Sequence, residues 1–321
     1  MRILGNGDIG RQGGLRIGVG GLGAIHDRYL GRAVGLELAV LHGLLDAGSF
    51  HEWLAPAERV TSPHLAQLGV PCAFDDGVAI GRAQLNGRTV FVAAQEGAFM
   101  GGGVGEVHGA KLVGLLQRAM KERPDAVLLL ADSGGVRLHE ANAGLIAVSE
   151  VMRAVLDVRA FGVPVIVLIG SANGCFGGMG IVARCCDHVV MSDIGRLAMS
   201  GPEVIEASHG VDEFDARDRA LVWRTTGGKH RWLSGDCDAL VEDDVEAFRE
   251  ATTALLGQRR PVTVDALQAE HALLVNRLHL LDEAIPEGSD DAIILWGRLG
   301  VAQAARVNDM DVQAVRALRT A

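Results

Sequence analysis

No run of lysine or arginine occurs in the 321 residues, and the formal net charge is −10. A surface that neutralises phosphates is therefore not expected, and neither nucleic acid nor a membrane is a predicted partner. Long apolar runs are missing too. Nothing approaches the roughly 20 residues that span a bilayer, and the N-terminus has no apolar core of a secretory signal, so a cytoplasmic setting is expected. Cysteine is sparse. Cys72, Cys175, Cys185, Cys186 and Cys237 fit neither a zinc site nor a disulfide framework and read as reduced, mostly buried thiols. No G-K-[ST] follows any glycine cluster, which disfavours a P-loop, and no serine sits in G-x-S-x-G.

What is abundant is glycine, at 43 residues, gathered in short clusters between apolar runs. Residues 18–23 match G-x-G-x-x-G, but no convincing strand precedes them and no second strand ending in an acid follows, so this stretch reads as an arm. Residues 28–45 read as a helix, and residues 50–60 as a shorter helical or irregular piece. Residues 78–85 and 89–94 flank Asn86-Gly87, a strong hairpin signal. A helix is expected over residues 106–120 with Leu112, Leu115, Leu116 and Ala119 on one face. A strand over residues 126–131 leads through Asp132-Ser133-Gly134-Gly135 into a helix over residues 143–160, with Leu145, Val148, Met152 and Val155 inward. Another strand, residues 164–169, runs into GSANGCFGGMGIVAR and a helix from about Met179. Short strands follow at residues 188–192 and 196–199, then mostly helix, with a charged helical tail from Pro261. Strands rich in Val, Leu and Ile without alternation suit a sheet covered on both faces, an α/β layout.

Three times a strand enters a glycine pair or triple before a helix: Gly101-Gly102-Gly103, Gly134-Gly135 and Gly177-Gly178. One such junction is ordinarily only a tight turn. If the strands are parallel, all three share one sheet edge, where α/β sheets bind ligands, and peptide N–H groups from two turns can hold one developing oxyanion. Ser133 and Cys175 are the candidate nucleophiles, although Ser133 also suits a turn cap and Cys175 a small packed residue. His108, His139 and His209 are candidate proton carriers. Arg137 and Glu140 suit an ion pair, and Glu203 and Glu206 share a helix face.

Asp132 to Glu140 (DSGGVRLHE) resembles the D-S-G-G-A-R-x-Q-E signature of the acyl-CoA carboxyltransferase branch of the crotonase/ClpP superfamily, and Ser200 to Glu206 resembles its A-G-P-x-V-I-E segment. GGVRLHEAN, GCFGGMGIVAR, GPEVIEASHGVDEFDARDRALVW and TTGGKHR together resemble the malonate decarboxylase β-subunit family more closely. The resemblance covers roughly residues 45–244. Val136 and His139 depart from the wider signature, and no four-cysteine zinc ribbon is present.

The resemblance implies an α/β crotonase/ClpP-like β-β-α spiral. A glycine-rich N-terminal arm and helix (residues 1–45) would precede the carboxyltransferase-type domain (46–260), and a helical C-terminal tail (261–321) would follow. It implies a hetero-oligomer with a γ subunit of the same fold, and a malonyl thioester on the CoA-like phosphopantetheine arm of an acyl carrier protein. Decarboxylation to an acetyl thioester and CO₂ passes through an enolate, which needs oxyanion donors and no nucleophile. Gly134, Gly135, Gly177 and Gly178 are the expected catalytic donors. Ser133, Arg137, Gly101, Gly102, Gly103, Cys175, Phe176 and Met179 are the expected substrate contacts, with no metal and no biotin. The alternatives are a biotin-dependent carboxyltransferase subunit and a structural subunit that docks the carrier protein.

Overall fold

The computed structural model describes residues 41, 43–58, 60–67, 77–140, 142–170, 173–282 and 292–319. The G-x-G-x-x-G match, most of the first expected helix and Cys72 lie outside the described residues.

The Asn86-Gly87 signal makes its hairpin. β2 (Val78–Leu85) and β3 (Arg88–Gln95) are antiparallel, and Asn86 and Gly87 take φ of 49° and 73°, the turn whose twist matches that of the strands. β1 (His51–Trp53) pairs with β2. A helical or irregular piece was expected there; three residues are too few for an alternation to show. From β3 onward each strand is added parallel to the last: β4 (Ala126–Ala131), β5 (Val165–Ile169), β6 (His188–Ser192) and β7 (Ala239–Val241). The seven strands therefore lie in sequence order. β7 had no expected counterpart.

After the short α1 (Pro63–Gln67), the crossovers are α2 (Glu106–Glu122), α3 (Asn142–Ala160) and α4 (Gly177–Cys185). Right-handed crossovers that all step the same way place their helices on one face. Leu112, Leu116, Val151, Val155 and Val182 accordingly share one core with Val127 and Val167. The helices α5 (Pro202–His209), α6 (Arg219–Thr226), α7 (Gly228–Leu233) and α8 (Val245–Leu255) follow. Phe248 of α8, with Leu41 and Leu44, covers the other face over Leu128 and Ile166. Burial on both faces explains why these strands do not alternate.

Leu145, expected inside, is exposed; the buried face of α3 runs through Ala147, Val148, Val151, Ala154, Val155 and Val158. Its first two turns are apolar nearly all round, so periodicity alone could not set the register. The tail forms α9 (Val264–Asp282), α10 (Ala292–Arg298) and α11 (Val312–Leu318). α10 and α11 build a third core around Trp296, Val307 and Val315 with Leu233 and Leu240. α9 buries no residue. Among the described residues no helix is long and apolar enough to cross a membrane.

A second, minimal ladder crosses the strand ends. Val104 bridges Val136, Ser133 bridges Cys175, and Cys175 bridges Leu197, all in parallel. Each turn of the chain is thus a strand, a bridge segment and a helix, the β-β-α repeat of a spiral. Residues 196–199 contribute only such bridges, not the expected strand.

Asp46 ties the hairpin to the rest. Its carboxylate accepts from the N–H groups of Asn86 (2.9 Å) and Gly87 (2.8 Å) and from Arg249 Nη2 (2.6 Å). The Gly87 bond, then Arg249, hold its acidity below the usual carboxylate range. A group depressed in the folded state adds stability above its unfolded pKa and loses it as pH falls through the folded value. Asp46→Ala is therefore expected to cost about 2 kcal/mol at neutral pH, with the gap to wild type closing in urea melts run below about pH 4.

Candidate active site

The three glycine turns lie together at the C-terminal edge of the parallel strands. Beyond β3, Met100, Gly101 and Gly102 take φ of 52°, 66° and 66°. A Cβ on Gly102 would stand 1.8 Å from the Asp132 carbonyl oxygen, so the first two turns touch backbone to backbone. Beyond β4, the buried Ser133 clasps them: its hydroxyl donates to Gly102 O (2.6 Å) and accepts from Gly135 N (3.2 Å). The third turn meets the second closely, because a Cβ on Gly177 would lie 3.0 Å from the Gly135 Cα. Gly177 has φ 58°, a conformation glycine reaches without steric cost.

This contact corrects the donor assignment. The N–H groups of Gly134, Gly135 and Gly177 are already bonded, to Gly101 O (2.8 Å), Ser133 Oγ (3.2 Å) and Met199 O (2.9 Å). Of the four glycines only Gly178 keeps an N–H with no acceptor among the described residues. Such a group is natural in the first turn of a helix, and α4 has no side-chain cap. Its companion is Val136. In the parallel bridge the Val104 N–H donates to Gly135 O and the Val104 C=O accepts from the Arg137 N–H, which leaves the Val136 N–H pointing away from that ladder. It too has no acceptor among the described residues. Val136 and Gly178 thus present N–H groups from adjoining turns.

Several side chains expected to contact substrate are packed into the protein. Ser133, Arg137, Cys175, Phe176 and Met179 are all buried. The Arg137 guanidinium pairs with Glu140 at 3.2 Å and lies over the Phe99 ring. Gly102 and Gly103 are buried, while Gly101 and Gly134 are exposed. Burial and the nearby Asp132 carboxylate push the Cys175 thiol far up, the reverse of an activated nucleophile. Cys175→Ala is expected to leave turnover within about threefold of wild type, because no bond to the thiol is made or broken, and to leave the number of thiols labelled in the native chain unchanged, because this one is buried. An acid–base role fits His108 no better. It is fully buried, on Gln95 Nε2 at 3.0 Å. Gln95 Oε1 accepts the Asp132 N–H (3.3 Å), so its amide nitrogen is the donor and His108 is the Nδ1-protonated tautomer. His209 is exposed at the end of α5, as is Glu203 at its start.

Some site features had no sequence signal. Asp132 Oδ1 accepts from the Asn173 N–H at 3.0 Å, which ties the second turn to the third. Gly97 packs over this pair, where a Cβ would lie 1.9 Å from Asp132 Oδ2. Arg196 is sandwiched between Phe176 (5.5 Å) and Trp223 (5.2 Å). Asp132 and Asn173 stand inside quoted motifs, but nothing in those motifs marks the bond between them; Gly97 and Arg196 belong to none, and the proximity of these residues exists only once the turns are stacked.

The carboxyl transferase domain family matches residues 35–265. The malonyl-S-ACP:biotin-protein carboxyltransferase of Malonomonas rubra is 48% identical, over 86% of this chain and 91% of that protein. The crystal structure of a Pseudomonas malonate decarboxylase hetero-tetramer in complex with malonate superposes with a TM-score of 0.73 at 40% identity, covering 81% of this chain and 94% of that one. The Pseudomonas malonate decarboxylase MdcD–MdcE hetero-dimer gives 0.59 at 37% identity, covering 74% and 92%. The sheet, its bridge ladder and its stacked turns are the crotonase-type spiral that these relatives share. With more than half its length matched and such a relative aligned almost end to end, this chain belongs to the carboxyl transferase domain family.

Proposed function

We propose that this chain is the β-type subunit of a biotin-independent malonate decarboxylase, an enzyme of the carbon–carbon lyase class. It would work with a γ subunit of the same fold on malonyl-S-acyl carrier protein. The observation that carries this reading is the pair of N–H groups, Val136 and Gly178, on turns held in contact by Gly135 and Gly177.

The malonyl thioester, on its phosphopantetheine arm, is the substrate. Its bond from Cα to the carboxylate carbon breaks, CO₂ departs, and the electron pair moves into the enolate of the thioester. Negative charge then grows on the thioester oxygen, where backbone donors are worth most. A proton delivered to Cα completes the acetyl thioester. The chemistry calls for no nucleophile, in keeping with the inert Cys175 and the clasped Ser133. Removing a carboxyl group in this way also accords with relatives named for malonate decarboxylation and malonyl carboxyl transfer.

A second reading has its own support: the 48% identical relative is named as a carboxyltransferase to a biotin protein. The same donors would then stabilise the enolate while the carboxyl group passes to biotin. The deciding experiment reconstitutes the chain with its partner subunit and supplies malonyl-S-acyl carrier protein labelled in the free carboxyl group. Stoichiometric release of labelled CO₂ without biotin supports the first reading. Strict dependence on a biotinylated acceptor selects the second. Binding of the carrier without turnover in either arm reduces the chain to a docking subunit.

A further inference from the structure

Away from the glycine turns, four arginines from four elements close on residues 234–237, the loop after α7. Arg184 comes from the last turn of α4, Arg231 from α7, Arg277 from α9, and Arg319 from just beyond α11. Asp236 lies 3.2 Å from Arg231, 3.5 Å from Arg277 and 3.7 Å from Arg184. Glu270 pairs with Arg184 at 3.0 Å. Four guanidiniums against two carboxylates leave an excess of two positive charges here, in a chain whose net charge is −10.

The donors sort into engaged and unengaged. Arg231 gives Nε to Leu197 O (2.8 Å) and Nη2 to Thr225 O (3.3 Å). Arg319 gives Nη1 to Cys237 O (2.9 Å). Arg277 Nε, by contrast, is buried with no hydrogen-bond partner, a state that costs free energy unless something supplies an acceptor. The Nη2 groups of Arg277 and Arg319 both approach Gly235, where a Cβ would stand 2.8 Å and 3.9 Å from them. Gly235 has φ 75°, and having no side chain it lets both Nη2 groups approach its backbone. The neighbourhood bears the mark of the surplus charge. Burial and then Arg231 push the His230 imidazole down to about 3. Burial raises the Asp236 carboxyl, yet Arg184 and Arg231 more than offset this and hold it low.

We propose that Arg277 and Arg319, backed by Arg184 and Arg231 around Gly235, form a binding site for a small phosphate dianion, either inorganic phosphate or a phosphate monoester. Two negative charges match the excess, and tetrahedral oxygens accept from guanidinium forks that arrive from two directions. A single carboxylate neutralises only half of it. The ligand joins α7, α9 and the end of α11, so it strengthens the attachment of a helix that buries nothing of its own. The site stands independently of the reaction proposed for the glycine turns.

The test titrates the full chain with inorganic phosphate by calorimetry at constant ionic strength, with chloride as the matched control. One saturable site per chain is expected, together with a rise in Tm that chloride does not give. Arg319→Gln, at an exposed position, should weaken phosphate binding at least about tenfold. Arg277→Gln, from a different helix, should do the same with circular dichroism unchanged. Arg319→Lys keeps the charge without the fork and should fall between. Absence of saturable binding, wild-type affinity in Arg319→Gln, or equally tight binding of malonate overturns the proposal.

Discussion

Gly177→Ala is expected to lower the proposed turnover of malonyl-S-acyl carrier protein by about 10²–10³-fold, the effect of losing one oxyanion donor. Alanine at φ 58° carries roughly 1–2 kcal/mol of left-handed strain. Its Cβ would sit 3.0 Å from the Gly135 Cα, so the second and third turns must separate by a few tenths of an ångström. That shift moves the Val136 and Gly178 N–H groups apart, and a donor misplaced from the developing charge stabilises it poorly. The loss should fall on kcat, with KM little changed, because ground-state binding along the arm is untouched. Gly210→Ala is the control. It also takes positive φ, at 93°, but has nothing within 4 Å of a Cβ, and it should retain turnover. Equal kcat values for wild type and Gly177→Ala would refute the donor assignment.

Gly102→Ala should unfold the site altogether. A Cβ there would stand 1.8 Å from the Asp132 carbonyl oxygen and 2.9 Å from the Ser133 Cα, both main-chain atoms that cannot rotate aside. Relief by sliding the turns is blocked by Gly134 N donating to Gly101 O (2.8 Å) and Ser133 Oγ donating to Gly102 O (2.6 Å). Positive φ of 66° adds strain. The expected cost is about 4 kcal/mol or more, in the range reserved for overpacking and broken networks. Urea unfolding reads it as a lower midpoint at unchanged slope, and turnover disappears with it. A midpoint within error of wild type would show that the first two turns are not locked together.

Much of this architecture was readable from residues alone. Asn86-Gly87 specified its hairpin because few other turns accept two left-handed residues in succession. Unbroken Val/Leu/Ile runs marked strands buried on both faces, and the glycine clusters marked three junctions that do share one edge. What escaped was short or context-dependent. β1 and β7 have three residues each, too few to show a period. The outward position of Leu145 escaped because the start of α3 is apolar nearly all round, so periodicity could not set its register.

By itself, then, the sequence determined the hairpin, the buried strands, the three glycine turns and, through ordered motifs, the carboxyltransferase resemblance, while the parallel pairing came from the fold. Only the tertiary structure decided which N–H groups remain available. Sequence marks where the backbone can approach another atom closely, but hydrogen-bond partners are set by the neighbouring turn. In the folded chain the Gly134 N–H donates to Gly101 O on the neighbouring turn, the Gly177 N–H to Met199 O and the Gly135 N–H to Ser133 Oγ within its own turn, which leaves those of Gly178 and Val136. Tertiary structure likewise gathered Arg184, Arg231, Arg277 and Arg319 around Gly235. Charges 135 residues apart in sequence, from Arg184 to Arg319, share no local pattern and meet only when the tail folds back onto α4.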